Sequence, residues 1–228
     1  MERKAKQKKK SGIGGIIVAV IIILASCGML FYPFISNYLY DNRTDSLIST
    51  YEEEIDNTDD ALIEEMLAEA REYNEELVDA HVVLTDPFQP VVSTGSEDDI
   101  LSHYYDILNV GEHGYMGYLE IPAIEVHLPI YHSTSDTVLE LGVGHLEGSS
   151  FPIGGENTHS ILSAHTGINN AKMFTDLTVL EEGDHFYISV LGDTLAYQVD
   201  QIKIVEPDDT SDLNIVNGED YVTLVTCT

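Results

Sequence analysis

The 228-residue chain contains no tryptophan, two cysteines (Cys27 and Cys227), and ten Lys plus Arg against forty Asp plus Glu. Two cysteines are too few for a disulfide framework. Basic residues are scarcer still than that count suggests, because six of the ten lie within the first ten positions. Beyond residue 12 only Arg43, Arg71, Lys172 and Lys203 offset the acids. A surface of that sign repels phosphate backbones, which excludes nucleic acid as a partner. The sequence also lacks a Cys-x-x-Cys pair, a His-Glu-x-x-His helix, a calcium loop, a glycine-rich phosphate loop and any internal repeat. Neither a metal nor a cofactor is therefore expected.

What the chain does have is a long apolar run. No charge occurs from Ser11 to Tyr40, and Ile13 to Tyr32 is almost entirely apolar. Twenty helical residues reach roughly 30 Å, about the hydrocarbon thickness of a bilayer. Residues 13–34 are read as a transmembrane anchor behind a basic cytoplasmic tail, residues 1–12, with the rest of the chain extracytoplasmic. A cleavable signal peptide has a shorter apolar core. Leu24-Ala25-Ser26-Cys27 resembles a lipoprotein cleavage box, but the residues after it stay apolar where a lipoprotein turns polar. The uncleaved anchor is the preferred reading, the lipoprotein its rival.

Residues 41–80 are acidic with helical periodicity. Leu47, Tyr51 and Ile55 form one stripe, and Leu62, Met66, Ala70, Tyr73 and Leu77 form another after Asp59-Asp60, which can cap a second helix. Residues 81–112 are irregular, punctuated by Pro87, Pro90, Gly95 and Gly111, and a loop of that length is usually functional or disordered. From residue 113 onward the pattern turns to short β-rich runs: 115–121, 124–131, 160–164, 185–191, 194–205 and 221–226. Gly192-Asp193 reads as a tight hairpin turn, with short helices expected at 136–141 and 170–180. Many short strands with few helices predict a mainly β domain, a barrel or sandwich.

The chemistry narrows to one thiol. Nine histidines are scattered, each alone more readily structural than catalytic. Cys227 ends an apolar strand on the extracytoplasmic side, where a free thiol is exposed to oxidation. From the residues alone it is either a nucleophile or a small buried hydrophobe.

Thr223-Leu224-Val225-Thr226-Cys227 resembles the strand end that carries the nucleophile in sortases, and His165 in Leu162-Ser163-Ala164-His165-Thr166-Gly167 resembles their catalytic histidine. Residues 144–180 and Tyr32-Pro33-Phe34-Ile35-Ser36-Asn37 are similar to the class C, pilin-polymerising branch. Asp86-Pro87-Phe88 resembles the motif of the lid that plugs the class C site; without the resemblance it is an ordinary Asx-Pro turn. The resemblance implies a sortase-like β-barrel over residues 113–228 and a lid-bearing loop over 81–112. It also implies a transpeptidase using Cys227 and His165, with Asp86 and Phe88 in the lid. The implied partners are pilins bearing an LPXTG-like sorting signal and an acceptor lysine. Members of the family place an oxyanion-binding arginine on the strand after the nucleophile. Arg3, Arg43 and Arg71 cannot match it, so the chain ending at Thr228 is expected to lack the final strand and not to turn over. The alternatives are a housekeeping sortase that anchors proteins to the cell wall, and a non-catalytic, membrane-tethered surface or pilus accessory protein.

Overall fold

A computed structural model describes residues 13–80, 84, 101–111, 114–167, 171–206 and 209–227. Helix α1 (Ile13–Asp56) continues without a break from the apolar run into the acidic stretch, through Pro33. Its apolar part has a mean hydropathy of 2.6 over 18 residues, none of it buried by the protein, which makes it a candidate membrane span. The acidic half buries Thr44, Ile48, Tyr51 and Ile55 against the β domain. Asp59 then caps α2 (Asp60–Ala80), its carboxylate accepting from the Ala61 N–H at 2.9 Å. Helix α2 buries Leu67, Ala70, Tyr73 and Leu77. Leu62, expected in that stripe, is exposed, and its neighbour Ile63 packs against the core instead.

Seven strands form one sheet: β1 (Tyr115–Ile121), β2 (Val126–His132), β3 (Val143–His145), β4 (Thr158–Ser163), β5 (His185–Val190), β6 (Asp193–Gln198) and β7 (Asp220–Val225). Their order is β6-β5-β1-β2-β3-β4-β7. The pairs β2·β3 and β4·β7 are parallel and the others antiparallel. The sheet curls into a nearly closed barrel: across the gap between the outer strands, the Tyr197 hydroxyl on β6 donates to Asp220 on β7 at 3.0 Å.

Four sequence expectations need correction. The β5–β6 turn is Leu191-Gly192, since Val190 pairs with Asp193 and both turn residues have positive φ, as a two-residue hairpin requires. Leu191 tolerates φ 50° because its side chain is buried and its N–H donates to the Tyr51 hydroxyl at 2.7 Å. Strand β6 stops at Gln198 rather than running to 205. Residue 124 belongs to a 3-10 turn, Pro122–Ile124, ahead of β2. Within 171–180 the helical element is only the 3-10 turn Leu177–Val179; the short helix α3 (Asp136–Leu139) falls inside its expected range.

Candidate active site

Strands β4 and β7 pair in parallel from Thr158↔Asp220 to Ser163↔Val225. The pairing is prolonged past both strand ends. The Ala164 N–H donates to the Val225 carbonyl at 3.2 Å, and the Thr226 hydroxyl donates to the Ala164 carbonyl at 2.8 Å. The next residue on one chain is His165 and on the other Cys227. Each lies two positions beyond the matched pair Ser163↔Val225, so the expected catalytic residues leave the barrel at the same end, side by side in register. His165 is half-buried, and Cys227 is an exposed free thiol. The His165 carbonyl accepts from the Phe174 N–H at 3.1 Å, which ties the loop after β4 to the 171–176 turn.

Alternation along the strands sets the faces. Leu162, Ala164, Val222 and Leu224 pack with the main core. Ile161 and Val225 point the other way, into a smaller cluster with Leu84, Leu146 and Leu213. By the same two-residue period His165 and Cys227 fall on the face of that smaller cluster. Leu84 is doubly held there, buried among those side chains and with its carbonyl accepting from the Thr210 hydroxyl at 2.9 Å. Asp86 and Phe88 lie outside the described residues.

The sequence pattern assigns no role to the two threonines of the Thr223–Cys227 run, but each has one in the structure. Thr226 is the clamp just described. The Thr223 hydroxyl lies 2.7 Å from His159 Nε2, whose Nδ1 is 2.9 Å from the Asn214 carbonyl. A carbonyl only accepts, so Nδ1 carries the proton and Thr223 donates to Nε2. Burial lowers the pKa of His159, in keeping with that neutral ring. His145 is likewise structural: fully buried, its ring near-parallel to those of both Tyr104 and Phe151, with Nε2 2.8 Å from the Ser150 carbonyl. Burial pushes its pKa down to about 3. Of the described arginines, Arg43 lies on α1, and Arg71 lines a cavity with Gly154–Thr158 at the far end of β4. Among the described residues no three His, Cys, Asp or Glu side chains gather to hold a metal ion.

A thiol and an imidazole delivered together at one barrel rim suit acyl transfer. Comparison with known proteins bears on the family and the fold. A sortase-domain family model matches residues 119–228, and the crystal structure of sortase C1 from Streptococcus agalactiae is 42% identical, covering 80% of this chain and 90% of that one with a TM-score of 0.72. The chain belongs to the sortase family. Its solved neighbours place this sortase in class C; they include sortase C-1 of Streptococcus pneumoniae, 43% identical with a TM-score of 0.68 and the same 80% and 90% coverage. Among curated proteins it is 35% identical to sortase D of Bacillus subtilis over 111 residues, 49% of this chain. The chain spans about half the length of the curated relatives it matches, 53% for that one.

Proposed function

We propose that this sortase is a membrane-anchored cysteine transpeptidase that joins pilin subunits. The observation that carries the reading is the clamped parallel pair β4·β7, which presents His165 and Cys227 together. The Cys227 thiolate attacks the Thr–Gly carbonyl of an LPXTG-like sorting signal. The C–N bond breaks as His165 protonates the departing glycine amine, leaving a thioester. The ammonium of a lysine on the next subunit then loses a proton to His165. Its amine attacks the thioester, a second proton passes to the solvent as the C–N bond forms, and the C–S bond breaks to give the isopeptide and release the Cys227 thiolate. The barrel is extracytoplasmic, and α1 is its anchor.

Asp86 and Phe88 are proposed to cover the site as a lid. Leu84 supports this. It packs beside Val225, two residues before Cys227, and Asp86 follows Leu84 by two residues, so each is at most about 7 Å along the chain from this shared cluster.

Two measurements test the function. A sorting-signal peptide whose Thr–Gly amide is replaced by a thiol-trapping electrophile should modify Cys227 faster than a scrambled peptide, with the advantage lost in His165→Ala. Equal rates for the two peptides would remove sorting-signal recognition. In cells, Cys227→Ala in the encoding gene should collapse covalent pilin ladders to monomers. Intact ladders with loss of wall-anchored monomeric proteins would favour the housekeeping reading instead.

A further inference from the structure

Helix α1 is both the candidate anchor and a strut along the barrel, and its contacts follow one order. Nearest the apolar run, the Tyr40 hydroxyl donates to the Leu141 carbonyl at 2.8 Å. One turn later Asp45 meets His127 Nδ1 at 3.3 Å. Further along, the Tyr51 hydroxyl donates to the Met116 carbonyl at 2.9 Å, and the Ile55 side chain lies against Gly192. His127 is the second residue of β2, whereas Met116 is the second residue of β1 and Gly192 follows β5.

Strand directions say which end each contact marks. β4 and β7 run toward His165 and Cys227; β3 is antiparallel to β4, and β2 is parallel to β3. The start of β2 therefore lies at the catalytic end, while the start of β1 and the end of β5 lie at the other. A second chain of contacts agrees. The 171–176 turn that holds the His165 carbonyl carries Lys172, 3.5 Å from Glu125 just before β2. Lys172 is also close enough to Asp41 on α1 to act on its carboxyl. Thus the catalytic end lies beside residues 40–45 of α1, and the hairpin end lies beside residues 51–55.

Tyr40 is only eight residues past the apolar run ending at Tyr32, about 12 Å along a helix. Between them Phe34, Ile35, Tyr38 and Leu39 are all more than half exposed, uncovered by the barrel and suited to the headgroup zone. Ile55 is a further fifteen residues on, about 22 Å, and a 40° tilt, wide enough to absorb a bend at Pro33, leaves about 17 Å of that.

We infer that the catalytic end of the barrel faces the bilayer at a height fixed by α1, so that the site works on polypeptide segments held close to the outer leaflet. This orientation rests on the proposed anchor, and the test separates the two. In the full chain carrying Cys27→Ser and Cys227→Ala, single cysteines are introduced by Met29→Cys, Glu125→Cys, Leu141→Cys or Asp193→Cys and labelled with a fluorophore. The protein is reconstituted into phosphatidylglycerol–phosphatidylcholine vesicles. Nitroxide on the lipid headgroup should quench the labels at 125 and 141 several-fold more than the label at 193, and acyl-chain nitroxide should quench the label at 29. Quenching at 193 equal to or above that at 141, with the label at 29 quenched, would overturn the orientation and leave the anchor standing. A label at 29 untouched by acyl-chain nitroxide would remove the anchor and the orientation with it.

Discussion

Thr226 connects the two strands that carry the site through one hydroxyl. Thr226→Val keeps the shape but leaves the buried Ala164 carbonyl without that donor, a loss of about 1–3 kcal/mol. The denaturant midpoint should fall accordingly. Peptide-directed modification of Cys227 should slow further than Thr226→Ser, which restores the bond; equal rates in the two variants would deny Thr226 a positioning role. His145 governs a different property. Its pKa is held down near 3 by burial, against about 6.5 in the unfolded chain. Between those values the unfolded state binds the extra proton, so the contribution of His145 is complete above pH 6.5 and is lost as pH falls toward 3. The magnitude is on the order of a few kcal/mol. Burial lowers the pKa values of His132 and His159 too, and these act in the same sense. Urea titrations at pH 7 and pH 5 should show lower stability at pH 5, with a smaller difference in His145→Gln. An undiminished difference in that variant would assign the acid sensitivity elsewhere.

The small cluster around Leu84 fixes to the barrel the point of the chain two residues before the proposed lid motif. Leu84→Ala should cost about 2–3 kcal/mol and speed the reaction of Cys227 with a bulky thiol reagent under native conditions. Asp86→Ala with Phe88→Ala should speed it as well; an unchanged rate in both would reduce the motif to a turn. Such elements were legible from sequence to different depths. The boundaries 115–121 followed directly from β-branched and aromatic density, and the Asp59 cap from its position before an apolar stripe. Strand β3 escaped notice because three residues, one of them Gly144, are too short to show a period. The hairpin turn lies one residue before the Gly192-Asp193 pair, which has the composition of a turn. Leu191 takes the left-handed position instead, held by burial and by a hydroxyl on a helix 140 residues earlier. Cys227 stands out in the sequence as the lone extracytoplasmic thiol, but its pairing with His165 rests on family resemblance, since nothing in their local patterns states that two strands so far apart pair in register. The role of Thr226 depends on that same pairing and was invisible for the same reason.

At the scale of the whole molecule, charge and hydropathy predict one anchor with residues 41–228 outside. Protease added to intact cells should remove the barrel and spare the N-terminus; a barrel protected from protease would contradict this topology, and acyl-glycerol on Cys27 would replace it with the lipoprotein alternative. The parallel β4·β7 pair also has a consequence in time. Ser163 and Val225 are 62 residues apart in sequence, whereas β1·β2 and β5·β6 join near neighbours through short turns. Closing a long loop costs entropy before any contact repays it, so parallel pairing at this separation is among the slow events of folding. The two hairpins form early, and the register that sets histidine beside thiol forms late. On the proposed mechanism, a chain still folding therefore carries the thiol without its histidine partner, and the transfer is withheld until β4 and β7 have paired.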